Sequence, residues 1–416
     1  MNEKKQRRVA VTGIGAITPI GTGRDGFWAG MRAERSAVQT IDRFDPSIFR
    51  SHNAGQVNDF RAEDHIEAKR ARRLDRFGQF SVACARLALE DSGLRLAGED
   101  RERVGAMMGT ALGGIGYAEG QLARFLTDGL RAVDATLALA VFGGAASCNI
   151  AIEFGVSGPN STNAMSCASG SMAIGEAFRQ IRDGYADVMI AGGAEAPLAP
   201  LCFGSFALIR AMSIRNDDPA RASRPFDAAR DGFVMGEGSA VLILEEWSHA
   251  VARGAHVYAE VCGYGTTNDA HHMTAPLPSG AQAARAMRLA LGDAHLAPAE
   301  IGYINAHGSA TPLNDPSETT AIKSVFGDHA YRIPVSGTKG YYGHALGASG
   351  AFEAAICSLA LEREWIPPTV NLELPDVGCD LDHVPGAGRE LRVEHMLSNS
   401  FGFGGINAAL VFRQFS

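Results

Sequence analysis

Residues 77–94 read FGQFSVACARLALEDSGL and residues 281–296 read AQAARAMRLALGDAHL. In both, apolar residues recur at steps of three and four, which predicts two amphipathic helices. The stretches also share a phrase. Arg86-Leu87-Ala88-Leu89 with Asp91 returns as Arg288-Leu289-Ala290-Leu291 with Asp293, and each is followed by a short strand-like segment opening Val104-Gly105 or Ile301-Gly302. Upstream, Val11-Thr12-Gly13-Ile14-Gly15 is echoed by Val261-Cys262-Gly263-Tyr264-Gly265. Downstream, Cys167-Ala168 with Glu176-Ala177 matches His344-Ala345 with Glu353-Ala354. A single match of this length arises by chance. Four in one order predict two similar α/β halves about a pseudo-twofold axis, the first carrying longer insertions.

Runs such as VAVTGIG, DVMIAGG and SAVLILEE, separated by short glycine-rich turns, fit strands alternating with helices. No Pro-rich or Ser-rich linker divides the chain, so the halves are placed at residues 1–255, with Cys167, and 256–416, with His307, Lys339 and His344. The 416 residues are 46% hydrophobic and 20% charged, the makeup of a globular protein with a large core. No charge-free apolar stretch approaches the roughly 20 residues of a membrane span, and a charged tag runs straight into the first strand-like segment. A cytoplasmic protein with no membrane partner is expected. Seven scattered cysteines form no CxxC pair, which predicts neither a zinc site nor a disulfide framework. The net charge of −8 argues against nucleic-acid binding. Against that average, EAKRARRLDRF crowds Lys69, Arg70, Arg72, Arg73 and Arg76 together, as a solvated helix face or a dock for an acidic partner.

Five places carry candidate chemistry. Cys167 lies in NAMSCASGSMAIGEA, where small neighbours leave a sulfur accessible and a following helix N-terminus favours the thiolate; the alternative is a buried apolar cysteine. If the halves are equivalent, Cys167 and His344 occupy matching turns. His307 stands in IGYINAHGSATPLNDPSE and His344 in SGTKGYYGHALGASGA, five residues after Lys339. Neither histidine has a metal-ligand partner at helical spacing, so no metal is expected. His271-His272 fall in a polar loop, NDAHHMTAP, suited to gating or to ordinary loop contacts. In HMLSNSFGFGGINAALVF, glycines 402, 404 and 405 either close a tight hairpin or hold the Phe403 N–H toward a ligand.

As a set these residues resemble the β-ketoacyl-acyl-carrier-protein synthases of the decarboxylating type, within the thiolase-fold condensing enzymes. The resemblance runs from RRVAVTGIGAITPIG through ADVMIAGGAEAP, RNDDPARASRPFDAARDGFVMGEGSAVLILEE and NAHGSATPLND to SNSFGFGGINAALVF. It is strongest toward type II synthases of fatty-acid elongation and catalytic ketosynthase subunits of type II polyketide systems. The implied fold is thiolase-like α/β, two duplicated βαβαβαββ halves forming a five-layered αβαβα sandwich. The implied reaction is decarboxylative condensation of an acyl thioester with malonyl-acyl carrier protein, to give the β-ketoacyl product.

The resemblance also implies roles. Cys167 carries the acyl group, with its own N–H and that of Phe403 as oxyanion hole, and His307 and His344 stabilise the enolate. Lys339 tunes the histidines and Glu318 orients Lys339. Ser309 and Thr311 grip the pantetheine arm, Leu112 closes the acyl channel, Phe401 lines the site, and Phe403 gates it beside the loop at 268–274. Lys69, Arg72, Arg73 and Arg210 receive the carrier protein, which brings the phosphopantetheine arm, so no resident cofactor is expected. A homodimer, or a heterodimer with a ketosynthase-like chain that sets length, is implied. A non-catalytic length-setting subunit, a cysteine hydrolase and a thiolase are weaker readings: the first usually lacks the cysteine, the second leaves a histidine idle, and the third needs a second cysteine in a glycine-rich loop. Departures from the usual pattern are HGSAT around Ala310, Met165-Ser166 before Cys167, Ile406, and Tyr341-Tyr342, placed to narrow or reshape the pocket.

Overall fold

A computed structural model describes residues 6–415, so residues 1–5 of the charged tag lie outside the described residues. Ten strands make the continuous path of an eleven-stranded sheet: β1 Val9–Thr18, β2 Val104–Gly109, β3 Asn160–Asn163, β4 Val188–Glu195, β5 Gly238–Glu246, β6 Ala259–Asn268, β7 Tyr303–Asn305, β8 Val335–Ser336, β9 His395–Gly402 and β10 Ile406–Gln414. In space they run β8-β7-β9-β10-β6-β1-β5-β4-β2-β3. Cut between β6 and β1, the two rows share one plan. β2 pairs parallel with β3 and β4, and β5 antiparallel with β4 and β1; β7 pairs parallel with β8 and β9, and β10 antiparallel with β9 and β6. Even an irregularity is repeated, a register shift between Val11 and Gly13 in β1 and between Val261 and Gly263 in β6.

The helices explain the shared phrases. Helix α1, Arg76–Ser92, and its counterpart α5, Ala281–Asp293, lie on the outer faces of the two rows. Asp91 accepts the Ile14 N–H at 2.8 Å and Asp293 the Tyr264 N–H at 3.1 Å, so each aspartate pins its helix to the strand beside the bulge. The helices also rest directly on glycine. A Cβ on Gly15 would stand 2.1 Å from the Cys84 carbonyl oxygen, and one on Gly265 would stand 2.2 Å from that of Ala286.

Between the rows lie α3, Ser169–Arg182, and α7, Ser349–Arg363; α2, Ile115–Asp128, α4, Pro200–Leu208, and α6, Asn314–Phe326, complete the helices used below. Strand alternation sorts the layers. In β4, Val188 and Ile190 face α1 whereas Met189 and Ala191 face the central helices; in β9 and β10, Leu397 and Val411 face α5 whereas Met396, Leu410 and Phe412 turn inward. Helix α7 is covered on all sides, with every residue from Ser349 to Leu361 buried. At about 2 kcal/mol for each fully buried large aliphatic or aromatic side chain, these layers dominate the favourable side of folding. The result is the five-layered α-β-α-β-α sandwich that the resemblance implies. Among the described residues, no helix is long and apolar enough to cross a membrane.

Two expectations are corrected by the fold. The cationic run is no continuous helix: a single turn at Ala68–Ala71 precedes Asp75, whose side chain accepts the Phe77 N–H at 2.7 Å and starts α1. The equivalence of Cys167 with His344 is three residues off. The short turn Ser166–Ala168 leads into α3 just as Leu346–Ala348 leads into α7, and Ser166 and Leu346 both have positive φ, 49° and 41°. Gly347 therefore matches Cys167. The Glu-Ala pairs are not equivalent in the fold; the shared phrase is Ala-Ser-Gly, at 168–170 and 348–350.

Candidate active site

The two turns meet at a cavity of about 280 Å3 whose walls include Cys167, Phe233, His307, His344, Phe401 and Phe403. Cys167 is 8% exposed, and the N–H groups of Phe403 and of Cys167 itself bear on its sulfur. Burial pushes the thiol up to about 12, with the Lys339 cation and those N–H groups opposing the rise. The expectation of a thiol lowered by the helix N-terminus is thus reversed, because desolvation of the thiolate outweighs the favourable charges.

His307 follows β7, and its ring centroid lies 5.3 Å from that of His344, the planes crossing at 80°. Burial, reinforced by the nearby Lys339 charge, pushes both imidazoles well below the usual histidine range and keeps them neutral. Ser349 Oγ meets His344 Nδ1 at 2.8 Å, leaving Nε2 for a ligand, and Phe233 packs edge-on against the same ring. Two neutral donors side by side can stabilise negative charge developing on one oxygen.

Glu318 does not orient Lys339. It accepts the N–H groups of His307 at 2.8 Å and Gly308 at 2.9 Å, fixing the backbone that carries the histidine. The Lys339 ammonium instead pairs with Glu353 and donates to the His307 carbonyl oxygen, while Ser400 Oγ reaches the other Glu353 oxygen at 3.3 Å. Burial pushes both Glu318 and Glu353 up to about 7. Geometry decides between the two acids: α7 projects Glu353 straight at the lysine. Sequence reading used Glu353 for the repeat and overlooked its chemistry. The signal was available, since one carboxylate inside the apolar run SGAFEAAICSLAL requires a buried partner. Ser349 and Ser400 carry no comparable mark.

The remaining predicted residues divide. Ser309 and Thr311, on the cavity wall, share a hydrogen bond of 2.9 Å, and Phe401 packs with its ring 5.8 Å from that of His307. Phe403 stacks on Phe206, and its turn is tied to the neighbouring loop by Gly404 N–H to the Met273 oxygen and Asn268 Nδ2 to the Gly404 oxygen, each 2.8 Å. His272 Nδ1 accepts the N–H groups of Thr274 and Ala275, a loop-shaping contact at the cavity edge. Leu112 is not on the cavity wall; it packs behind Cys167 in an apolar cluster with Leu198 and Phe203. Tyr341 and Tyr342 are buried in the central core, so they do not narrow the cavity. At the surface, Lys69, Arg72 and Arg73 are exposed, whereas Arg70 pairs with Glu153 and Arg76 with Glu237. Arg210 is exposed on the cavity rim, which none of those three lines. Among the described residues, no group of three or more His, Cys, Asp or Glu could hold a metal ion.

Known proteins are similar to this chain along its length. Residues 6–250 match the family described as beta-ketoacyl synthase, N-terminal domain, and residues 258–373 match beta-ketoacyl synthase, C-terminal domain. A 3-oxoacyl-[acyl-carrier-protein] synthase 2 of Synechocystis sp. is 47% identical over 415 residues, covering all of both chains. Among solved structures, a type II polyketide synthase acyl-carrier protein in complex with its ketosynthase bound to the hexaketide aligns with a TM-score of 0.91 and 37% identity, over 99% of this chain and 100% of that one. The ishigamide ketosynthase/chain length factor aligns with a TM-score of 0.92 and 36% identity at the same coverage. The chain therefore belongs to the beta-ketoacyl synthase family and is a condensing enzyme of the acyltransferase class.

Proposed function

We propose that this site elongates an acyl chain held on Cys167 by decarboxylative condensation with malonyl-acyl carrier protein. The observation that carries the reading is the convergence of Cys167, His307 and His344 on one cavity, with two N–H groups at the sulfur. In the first step the Cys167 sulfur attacks the carrier's thioester carbonyl, the N–H groups of Cys167 and Phe403 hold the oxyanion, and the pantetheine thiol leaves with the Cys167 proton. In the second, the malonyl thioester loses carbon dioxide, and its carbonyl oxygen takes the enolate charge against neutral His307 and His344. The enolate carbon then attacks the Cys167 thioester. The C–C bond forms, the C–S bond breaks, and the departing thiolate takes a proton to restore the thiol. Lys339 and Glu353 set the field around the histidines. Ser309 and Thr311 grip the pantetheine arm.

The acyl carrier protein is the proposed partner, reaching the cavity past Arg210 with Lys69, Arg72 and Arg73 on its approach; it brings the phosphopantetheine, so the protein itself supplies side chains alone. The unpaired outer edge of β3, together with exposed Leu126, Leu130, Leu139 and Ile152, supports a dimer, either with itself or with a related chain. The division of the chain at residues 255 and 256, and a cytoplasmic location, belong to the same reading. A second reading, the catalytic subunit of a polyketide or polyene synthase, is supported by the likeness to ketosynthases of that kind.

Mass spectrometry after incubation with acyl-loaded carrier protein tests the site. An acyl adduct is expected on Cys167, and Cys167→Ala should lose condensation by at least about a thousandfold. Normal turnover by that variant sinks the reading. Condensation assayed across chain lengths, with the chain alone and with a co-encoded ketosynthase-like partner, separates the two pathways: activity alone on saturated medium chains favours fatty-acid synthesis, and dependence on the partner favours polyketide assembly.

A further inference from the structure

Glu195, the last residue of β4, is fully buried, and no residue role discussed so far uses it. Its carboxylate accepts four hydrogen bonds, all from uncharged donors. Oε1 accepts from Thr110 Oγ1 at 3.0 Å and Leu112 N at 3.1 Å; Oε2 accepts from Ala111 N at 2.5 Å and Gly347 N at 2.9 Å. Three of these donors lie in the bend that follows β2. The fourth lies in the turn between His344 and α7. A buried carboxylate without a cation is costly to maintain, so four convergent donors mark a position where the chain gains something specific from it.

Both anchored segments border the reacting atoms. Ala111 and Leu112 pack in the apolar cluster that contains Cys167, and Leu346, one residue before the anchored N–H, lines the cavity with His344. Gly347 itself is shaped for the contact: a Cβ there would stand 2.4 Å from Ala111 N and 2.6 Å from Glu195 Oε2. Burial pushes the Glu195 carboxyl up to about 7, with the N–H groups of Ala111, Gly347 and Leu112 opposing the rise.

We propose that Glu195 is a positioning residue that ties the apolar packing behind Cys167 to the turn carrying His344. An acyl chain held on Cys167 lies against that packing, so acyl-chain selection and malonyl decarboxylation share one anchor, drawn from the N-terminal half and closing on the C-terminal one. The proposal rests on the assignment of Cys167 and His344 above. Glutamine at this position keeps the shape but turns an NH2 toward two donors. Either Ala111 and Gly347, or Thr110 and Leu112, lose their acceptor.

The test uses the purified full-length chain with carrier protein bearing acetyl, medium or long acyl groups, and with malonyl carrier protein. Three readouts are taken: the Cys167 adduct, carbon dioxide release and thermal midpoint. Glu195→Gln should slow carbon dioxide release about tenfold and change the ratio of long-chain to medium-chain loading about fivefold, with acetyl loading within about twofold of wild type, the scale of effect that a sub-ångström misplacement produces. Thr110→Val cuts the anchor on the acyl side alone. It should shift the chain-length ratio while leaving carbon dioxide release within about twofold. The proposal is overturned if Glu195→Gln leaves the chain-length ratio and carbon dioxide release unchanged, or lowers the loading of every acyl group and carbon dioxide release by one factor along with the thermal midpoint. Should Glu195→Gln fail to fold, an unchanged chain-length ratio in Thr110→Val overturns it. Absence of any adduct on wild-type Cys167 would instead defeat the site assignment itself.

Discussion

The turn before α3 and the turn before α7 have the same backbone and opposite contents. Each opens on a residue with positive φ, makes one tight turn and enters a central helix through Ser-Gly. The first turn places Cys167 at its middle position and points a sulfur at the cavity. The second has Gly347 there. Its bare N–H goes to Glu195, and its histidine stands three residues upstream, with the imidazole facing the thiol's neighbourhood. On the proposed reading one half supplies the nucleophile and the other supplies charge stabilisation, from a shared frame whose middle position differs. Duplication gives the geometry, and the differences between the copies give the chemistry.

The sharpest way to break this comparison is to remove the acids that the sequence repeat paired, Glu353 and Glu176. Glu353 is fully buried against Lys339, so Glu353→Gln strands a buried ammonium and should cost about 3–5 kcal/mol, with loss of condensation. Glu176 forms a half-buried pair with Arg179, four-tenths open to water, and Glu176→Gln should change stability by less than about 0.5 kcal/mol. Chemical denaturation of both variants checks this. Equal effects would restore the pairing of Glu176 with Glu353 that the fold rejects.

The next contrast exchanges the middle residues of the turns. A methyl group on Gly347 meets backbone atoms of Thr110 and Ala111 at 2.5 and 2.4 Å, so Gly347→Ala should cost about 1–3 kcal/mol and slow carbon dioxide release. Cys167→Gly should keep the fold and lose every trace of acyl adduct. Differential scanning calorimetry with mass spectrometry separates the outcomes. A Gly347→Ala variant as stable and active as wild type would show that the second turn is not held as described.

Much of this architecture was legible in the sequence because it is written in periodicity and in residues with a single use. Asp91 and Asp293, Gly15 and Gly265, and the bulged strands recur because each does one job twice. Cys167, His307, His344 and Lys339 stood out for the same reason, since few positions outside a reaction site place such groups among glycines. What escaped reading depends on distance between remote elements. The choice of Glu353 over Glu318 as partner of Lys339 is made by the direction in which α7 projects its side chain, and the burial that raises the Cys167 thiol comes from layers far along the chain. Tyr341 and Tyr342 adjoin the site in sequence and turn their rings away from it.

Acid and alkali should load the two turns differently. The unfolded chain protonates a histidine near pH 6.5, whereas burial keeps folded His344 neutral well below that, so folding stability is lost as pH falls under 6.5. Glutamine does not titrate. The stability of His344→Gln relative to wild type should therefore rise by about 1.4 kcal/mol per pH unit below 6.5. For Cys167 the sign reverses. The unfolded thiol ionises near 9 and the folded one at about 12, so stability is lost as pH rises through that interval, and Cys167→Gly should gain on wild type there. Urea midpoints measured from pH 5 to pH 10 check both slopes; parallel curves for variant and wild type would refute the burial argument.

The finest contrast lies one step further along each turn, at the matched serines. Ser169 Oγ donates to the Ser166 and Thr110 carbonyl oxygens at 2.7 and 2.9 Å, so it holds the backbone beside Cys167. Ser349 Oγ meets His344 Nδ1 at 2.8 Å, so it orients the His344 ring. Each alanine replacement removes a buried hydrogen bond worth about 1 kcal/mol, and the two should cost similar stability. Their effects on the half-reactions should separate. Ser349→Ala frees the imidazole to rotate and should slow carbon dioxide release several-fold without altering acyl loading. Ser169→Ala loosens the turn beneath Cys167 and should slow loading while leaving decarboxylation intact. If both variants slow the same half-reaction, the division of labour between the turns is wrong, however well their backbones superimpose.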